Sequence, residues 1–275
     1  MNLSIRKAKV NDIDKIRCIN QGEEGPWADL DSCRSWVTKR LERNFFILIS
    51  ELDGRPVGHS EWIESDEPLG RTFFLGQLQI AKAYQRLGIG KAMLNAGEEE
   101  AMKRGCASVT TIPELDTNAD VFYKKCGYSI RRRFITVEAN VAVNVKPESM
   151  TLIDEIPENV IREKDFLIGL SQSASRHMWE VLNRRPDTDN RIVKCAEFED
   201  GSYAAIFWFG SNQTAYAAAY GTVPVDLALG HCFSLAEAYG VKELIFVIDQ
   251  QHKIQLGRYI VRDSKDTHFE MIKML

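Results

Sequence analysis

Two glycines, two residues apart at a strand-to-helix junction, constrain this chain more than any other feature. The stretch Ala83-Tyr84-Gln85-Arg86-Leu87-Gly88-Ile89-Gly90-Lys91-Ala92 follows an apolar, strand-like run, Phe73 to Ile80. It opens a helix-like run, Gly90 to Arg104, with Ala92, Met93, Ala96, Glu100 and Ala101 at helical spacing. At such a junction the first helical N–H groups are free and the helix dipole is positive, so an anion can be held there. A Cβ at either glycine would keep a phosphate off the backbone.

Three phosphate-binding patterns compete for this stretch. A Walker loop needs Gly-x-x-x-x-Gly-Lys-Ser/Thr; here Ala92 follows Gly90-Lys91 and Gln85 stands where the first glycine belongs, so no hydroxyl is set for magnesium. A dinucleotide fingerprint needs Gly-x-Gly-x-x-Gly, and Met93 occupies its last position. The third pattern, Gln/Arg-x-x-Gly-x-Gly/Ala, is met by Gln85-Arg86-Leu87-Gly88-Ile89-Gly90. It resembles the acyl-CoA-binding loop of the GCN5-related N-acetyltransferase (GNAT) superfamily. From the loop alone, an ordinary glycine-rich turn is the plain alternative.

A second motif follows in the expected order. Asn118-Ala119-Asp120-Val121-Phe122-Tyr123-Lys124-Lys125-Cys126-Gly127-Tyr128 reads as a short helix stopped by Gly127, entering a strand at Tyr128. Its Asn-x-x-x-x-Tyr-x-x-x-Gly-Tyr resembles the second signature of the same superfamily. The opening Ile5-Arg6-x-Ala8-x-x-x-Asp12-x-x-x-Ile16 is similar to the start of many members. Together the resemblance spans residues 3–140.

The resemblance implies an α/β chain of GNAT fold: a mixed, mostly antiparallel twisted sheet flanked by helices. It implies acetyl-CoA as co-substrate. Backbone N–H groups of Arg86, Leu87, Gly88, Ile89, Gly90 and Lys91, in the loop that Gln85 opens, would bind the CoA pyrophosphate. Leu78, Gln79 and Ile80 would pair with the pantetheine arm like an added strand. Asn118 matches the residue that hydrogen-bonds the CoA arm, and Tyr123 the tyrosine that acts as general acid toward the thiolate. A phenol with an ordinary pKa of about 10 suits that role; packing, with a hydroxyl that only positions CoA, is the alternative. Phe122 and Tyr123 point roughly 100° apart on a helix, so one can be core while the other faces ligand.

The general base is not legible. Glu61, Glu64 and His59 lie on the strand before the loop, and solvated carboxylates are the ordinary expectation for the two glutamates. Gln77 and Gln79 stand where many relatives carry a carboxylate, and neither can take a proton.

Composition narrows the remaining classes. The 275 residues are 44% hydrophobic and 27% charged, with net charge -4, so charge gives nucleic-acid binding no support. No apolar run approaches the roughly 20 residues of a membrane helix, and the N-terminus lacks the apolar core of a signal peptide. The six cysteines show no metal-ligand spacing and the five histidines form no metal constellation. The expectation is a cytoplasmic protein with free thiols and no metal, acting on acetyl-CoA and an amine acceptor, small molecule or protein, with oligomers compatible.

Other segments follow pattern. Asn11 or Asp12 would cap a helix with Ile13, Ile16 and Ile19; residues 32–43 form a second helix capped by Asp31 or Ser32. Pro26-Trp27 either pins the loop 21–31 or lines an acceptor pocket. Strands are expected at 45–51, 55–63, 72–80 and 107–112, with Asp53-Gly54 as a hairpin turn. Gly105 is expected to close the loop helix.

Residues 144–149, with Pro147, form the candidate linker between a domain at 1–143 and another at 144–275. Beyond it, 163–183 reads as a helix; 192–198, 203–209 and 214–222 as strands; 224–239 as a helix; 243–248 as a strand; 259–262 and 269–274 as a closing hairpin. Shifted by 135 residues, this half overlies the first without a gap, Gly240 on Gly105, Leu229 on Leu94, Ala236 on Ala101 and Phe269 on Phe134. The second half thus reads as a degenerate GNAT-like duplication, chance coincidence being the alternative. Val223 and Val225 replace Gly88 and Gly90, while Lys253 and Arg258 replace Asn118 and Tyr123. This half is expected to brace the first or wall its acceptor cleft, with Arg176, His177 and Trp179 either lining it or lying on an ordinary helix face. The functional expectation is acetyl transfer to an amine. The rival is a non-catalytic acyl-CoA sensor or scaffold; a nucleotide-binding enzyme fits the loop spacing poorly.

Overall fold

The computed structural model describes residues 2–20, 29–42, 45–67, 70–113, 118–141, 149–157, 159–160, 165–169, 191–209, 213–252 and 261–275. It divides into two compact units: residues 1–111, 122–129 and 272–275 form one, and 112–121 and 130–271 the other.

In the first unit β1 (Leu3–Lys7), β2 (Phe46–Leu52), β3 (Arg55–Glu67) and β4 (Gly70–Ile80) are successive antiparallel neighbours. β5 (Ser108–Thr111) runs parallel to β4. A parallel neighbour needs a crossover, and α3 (Ile89–Lys103) supplies it. Helices α1 (Ile13–Ile19) and α2 (Leu30–Glu42) meet one face of the sheet, through Asn20 against His59 and Arg40 against Glu61. α3 lies on the other face, where Gly97 meets Trp62.

That last contact is close. A Cβ at Gly97 would come within 2.0 Å of the Trp62 ring. Trp62 is fully buried, stacks on Phe73 with ring centres 5.3 Å apart, and donates its indole N–H to Ser60 Oγ at 2.8 Å. A glycine on the helix thus admits the largest side chain of the core.

Near the N-terminus, Asp12 does not cap α1 with its side chain. It accepts two hydrogen bonds from the Arg6 guanidinium, each 2.7 Å, and one from the Lys9 N–H. The Arg6 and Asp12 positions of the opening pattern are therefore an ion pair joining β1 to α1. α2 begins earlier than its sequence suggests, because Asp29 accepts from the Ser32 N–H at 2.8 Å and fills the cap position. The Pro26-Trp27 corner lies outside the described residues.

The second unit repeats the plan. β9 (Arg191–Phe198), β10 (Tyr203–Phe209) and β11 (Thr214–Gly221) are antiparallel, β12 (Glu243–Asp249) runs parallel to β11, and α5 (Val225–Ala238) is the crossover between them. β6 (Ser129–Asn140) joins β12 in antiparallel register, and β7 (Met150–Ile153) borders β9. Ala215, Ala217 and Ala219 alternate onto the face that α5 covers, and their small side chains admit Leu229, Phe233 and Leu235. The cleft residues 176–179 lie outside the described residues. Two expectations fail here. Residues 165–168 are a strand, β8, paired to β11 rather than part of a helix. The closing hairpin is one strand, β13 (Val261–Met274). Residues 142–148, 253 and 258 also lie outside the described residues. No described helix is long and apolar enough to cross a membrane.

Two measurements test this packing. Alanine in a helix interior gains about 1 kcal/mol over glycine, but overpacking a filled core costs about 1–3 kcal/mol, and here the obstacle is a buried indole. Gly97→Ala should therefore lower unfolding free energy in urea; a rise would mean that Trp62 moves aside. Arg6 and its hydrogen bonds hold the Asp12 carboxyl well below the usual carboxylate range. That stabilisation is complete above the unfolded carboxylate value, about 3.9, and is lost as pH falls through the lower folded value. Asp12→Asn should flatten the acid limb of the stability curve.

Candidate active site

Strands β4 and β5 part at Gly76. The ladder between them ends at Leu75↔Thr111, while the ladder to β3 continues to Gly58↔Ile80. The β3 register shifts between Glu61 and Trp62, leaving Gly76 as the extra residue of a bulge. From Thr72 to Leu75 the strand is buried and Gly76 is exposed, whereas Gln77 to Ile80, including Leu78 and Gln79, are half-buried.

A short 3-10 turn, Lys82–Tyr84, leads from β4 into the glycine loop. Gln85 donates from Nε2 to the Ile80 carbonyl at 3.1 Å, clasping the loop to the strand. Arg86 takes φ 65°, and Gly88 takes φ 80°, a left-handed conformation that favours glycine. Gly88 occupies the cap position of α3 with no side-chain cap, and the first turn, Ile89 to Lys91, contains no acidic residue. The positive end of a 15-residue helix is therefore left to solvent. Gly90 differs from Gly88: a Cβ there would lie 3.6 Å from the Phe122 ring and 3.7 Å from Ile80, ordinary contacts, so the protein itself does not demand glycine at 90.

Asn118 opens α4 (Asn118–Lys125) and is exposed, while Tyr123 is buried within the same helix. The Tyr123 ring meets Phe122 at 5.1 Å and Tyr128 at 5.5 Å, both edge-on. Its hydroxyl hydrogen-bonds the Thr111 side chain, and Thr111 Oγ1 donates to the Leu75 carbonyl at 3.1 Å. Tyr123 is thereby tied to the last residue pair before β4 and β5 part. Burial pushes its phenol up to about 12, against a smaller lowering by Thr111. Behind it, Tyr128 donates to Glu98 at 3.0 Å, and Lys273 pairs with the same carboxylate at 2.6 Å.

Of the possible bases, Glu61 is placed differently from expectation. Glu64 pairs with Arg104 at 2.6 Å. Glu61, expected in solvent, is only 3% exposed and pairs with Arg40. His59 is fully buried, and desolvation lowers its pKa. Strand alternation gave Glu61 a face, but the cover provided by α2 comes from residues 21 positions away. Among the described residues no three His, Cys, Asp or Glu side chains are grouped to hold a metal. In the second unit, Val225 is buried in the core at the start of α5, Pro224 holds the cap position and Asp226 lies in the first turn.

A mostly antiparallel sheet with helices on both faces, and a glycine loop feeding the crossover helix, defines the GNAT fold. Residues 12–128 match the model of the acetyltransferase (GNAT) family, so the chain carries a GNAT acetyltransferase domain over that segment. Among solved structures, the chain is similar to a GCN5-related N-acetyltransferase from Anabaena variabilis (TM-score 0.68, 13% identity, covering 99% of this chain and 73% of that one). It is also similar to a GCN5-related N-acetyltransferase from Kribbella flavida (0.66, 12%, covering 100% and 71%). A tandem GNAT protein from the clavulanic acid biosynthesis pathway aligns over nearly the whole of both chains (0.57, 14%, covering 99% and 98%). No match was found among curated proteins.

Proposed function

We propose that this chain transfers an acetyl group from acetyl-CoA to the nitrogen of an amine, by direct attack within a ternary complex in the cytoplasm. The observation that carries the reading is the uncapped start of α3 behind Gly88, next to the segment of β4 that β5 has left. The pyrophosphate would meet the N–H groups of Arg86 to Lys91, and Gln85 would hold that loop in shape. The pantetheine arm would lie along Leu78 to Ile80 in place of a strand, with Asn118 among its hydrogen-bonding partners.

Tyr123 is the residue we assign to the departing thiolate. A phenol near 12 is a weaker acid than a thiol, whose ordinary value is about 8.5. It therefore serves first as a dry hydrogen-bond donor to the developing charge. We assign catalysis to residues 1–143 and read 144–275 as a degenerate GNAT-like domain. A buried Val225 and the cap position held by Pro224 support that division, because they leave no glycine loop before α5.

Two variants test the reading. Gly88→Val would strain a left-handed residue whatever the ligand, so Gly90→Val is the cleaner probe. It should lower acetyl-CoA affinity in titration calorimetry at least tenfold, measured on protein whose circular dichroism matches wild type; unchanged affinity would remove the loop assignment. Tyr123→Phe should lower kcat about 10–100-fold, the worth of a hydrogen bond to a charged group, with acetyl-CoA affinity nearly constant. Because Tyr123 keeps its proton up to about 12, wild-type kcat should show no loss from this residue across the neutral and mildly alkaline range. Wild-type turnover in the variant would leave Tyr123 a packing residue.

A further inference from the structure

We propose that Glu61 takes the proton from the acceptor, and that the acceptor is a primary alkylamine arriving as its ammonium ion. This deepens the acetyl-transfer reading and rests on it. Glu61 is 3% exposed, yet among the described residues only its Oε2 is paired, by Arg40 Nε, and its Oε1 has no hydrogen-bond partner. Arg40 is itself stacked on Trp36, its guanidinium 3.2 Å from the ring centre. Close by is a second orphan. Asn20 is 1% exposed, its Nδ2 donates to the Ile16 carbonyl at 2.7 Å, and its Oδ1 has no partner among the described residues.

His59 lies between the two. Its Nδ1 is 3.3 Å from Asn20 Nδ2, and its Nε2 is 3.9 Å from Glu61 Oε1, too far for a hydrogen bond. A buried acceptor left without a donor costs about 1–3 kcal/mol, more when charged. Two such acceptors in one cluster call for a donor-rich guest. An alkylammonium brings three N–H donors and the opposite charge.

The location suits the chemistry. Glu61 stands opposite Gln77, immediately past the Gly76 bulge, and a Cβ at Gly76 would be 3.8 Å from the Glu61 carbonyl. His59 and Glu61 project toward α1 and α2, whereas Trp62, its partner Leu75 and the next partner Thr111 share the α3 face with Tyr123. Proton acceptor and thiolate donor thus occupy opposite faces of the sheet where β4 and β5 separate. A thioester lying in that gap presents its carbonyl carbon to a nitrogen from one face and its sulfur to the phenol on the other.

Glu61 Oε1 takes one proton from R–NH3+, freeing the nitrogen lone pair. The C–N bond forms and the C–S bond breaks. A second proton leaves the nitrogen as the amide forms and goes to the sulfur. Acetyl-CoA and R–NH3+ thereby yield the acetamide, CoA thiol and one proton, which Glu61 returns to water.

The test compares wild type with Glu61→Gln, using acetyl-CoA with spermidine, lysine and phenethylamine as alkylamines and aniline as an arylamine, from neutral pH to about 10, the ordinary value for an alkylamine. Among the described residues, the groups facing Glu61 that titrate or carry charge are Arg40 and Cys33 on α2 and His59 on β3, all retained in the variant. The expected result is alkylamine acetylation by wild type. Turnover in the variant should be about 100- to 10,000-fold lower at neutral pH. That loss should shrink as pH rises and the free amine appears, while acetyl-CoA affinity stays unchanged. Wild-type turnover in the variant, a loss equal at every pH, acetylation of aniline alone, or acetyl-CoA binding with no alkylamine acetylated would each overturn the proposal. Failure of wild type to bind acetyl-CoA would overturn the underlying reading instead, and this one with it. Should Glu61→Gln not stay folded, Glu61→Asp keeps the charge but withdraws it by one methylene. It must lose turnover with acetyl-CoA affinity intact; full turnover would overturn the assignment.

Discussion

One extra residue in β4 governs the first unit. Gly76 breaks the match between β3 and β4, and at the same point β5 ceases to follow β4. A strand that keeps one neighbour and loses the other has backbone hydrogen-bonding capacity on its abandoned edge, which an extended ligand can fill as a strand would. Every candidate group is measured from that point. Tyr123 reaches it through Thr111 and Leu75, Glu61 stands across from its far side, and the strand continues from it to the glycine loop.

The bulge alone would not aim α3. That helix is held by Gly97 over the Trp62 indole, and by Met93 close to Gly58, where a Cβ would meet the Met93 sulfur at 2.9 Å. Large side chains against missing ones, the Trp62 ring over Gly97 and the Met93 thioether over Gly58, fix both the height and the rotation of the helix, because packed interiors tolerate little change of volume. The orientation of the helix start behind Gly88 therefore depends on residues two turns further along. At the far side of α3, Glu98 is bound by Tyr128 and Lys273, which joins the end of the chain to the wall behind Tyr123.

The second unit shares the framework but starts its crossover helix differently. Its strands and crossover helix repeat the first plan, with β11 and β12 parallel around α5. Yet the helix begins on Pro224 and a buried Val225, with Asp226 in its first turn. A proline brings no N–H, a side chain in the core holds the chain inward, and a carboxylate already answers the dipole. The crossover helix that starts on Gly88 with no acidic residue in its first turn in one unit starts on Pro224 with Asp226 in its first turn in the other.

By itself the sequence determined the parts whose chemistry is local. The glycine loop, the Asn118–Tyr123 helix and the strand order were legible because their residues lie next to one another, and because glycine at 88 answers a backbone requirement that no other residue meets as easily. The duplicated plan of the second half was legible for the same reason, since periodicity repeats with the elements. Only the tertiary structure decided that Glu61 is buried and half-paired, because α2 covers it from a distant stretch of chain and strand alternation names a face without saying what lies on it. Tertiary pairing likewise made 165–168 a strand along β11 and turned an expected hairpin into the single strand β13. In both places ladder partners distant in sequence outweighed local preference.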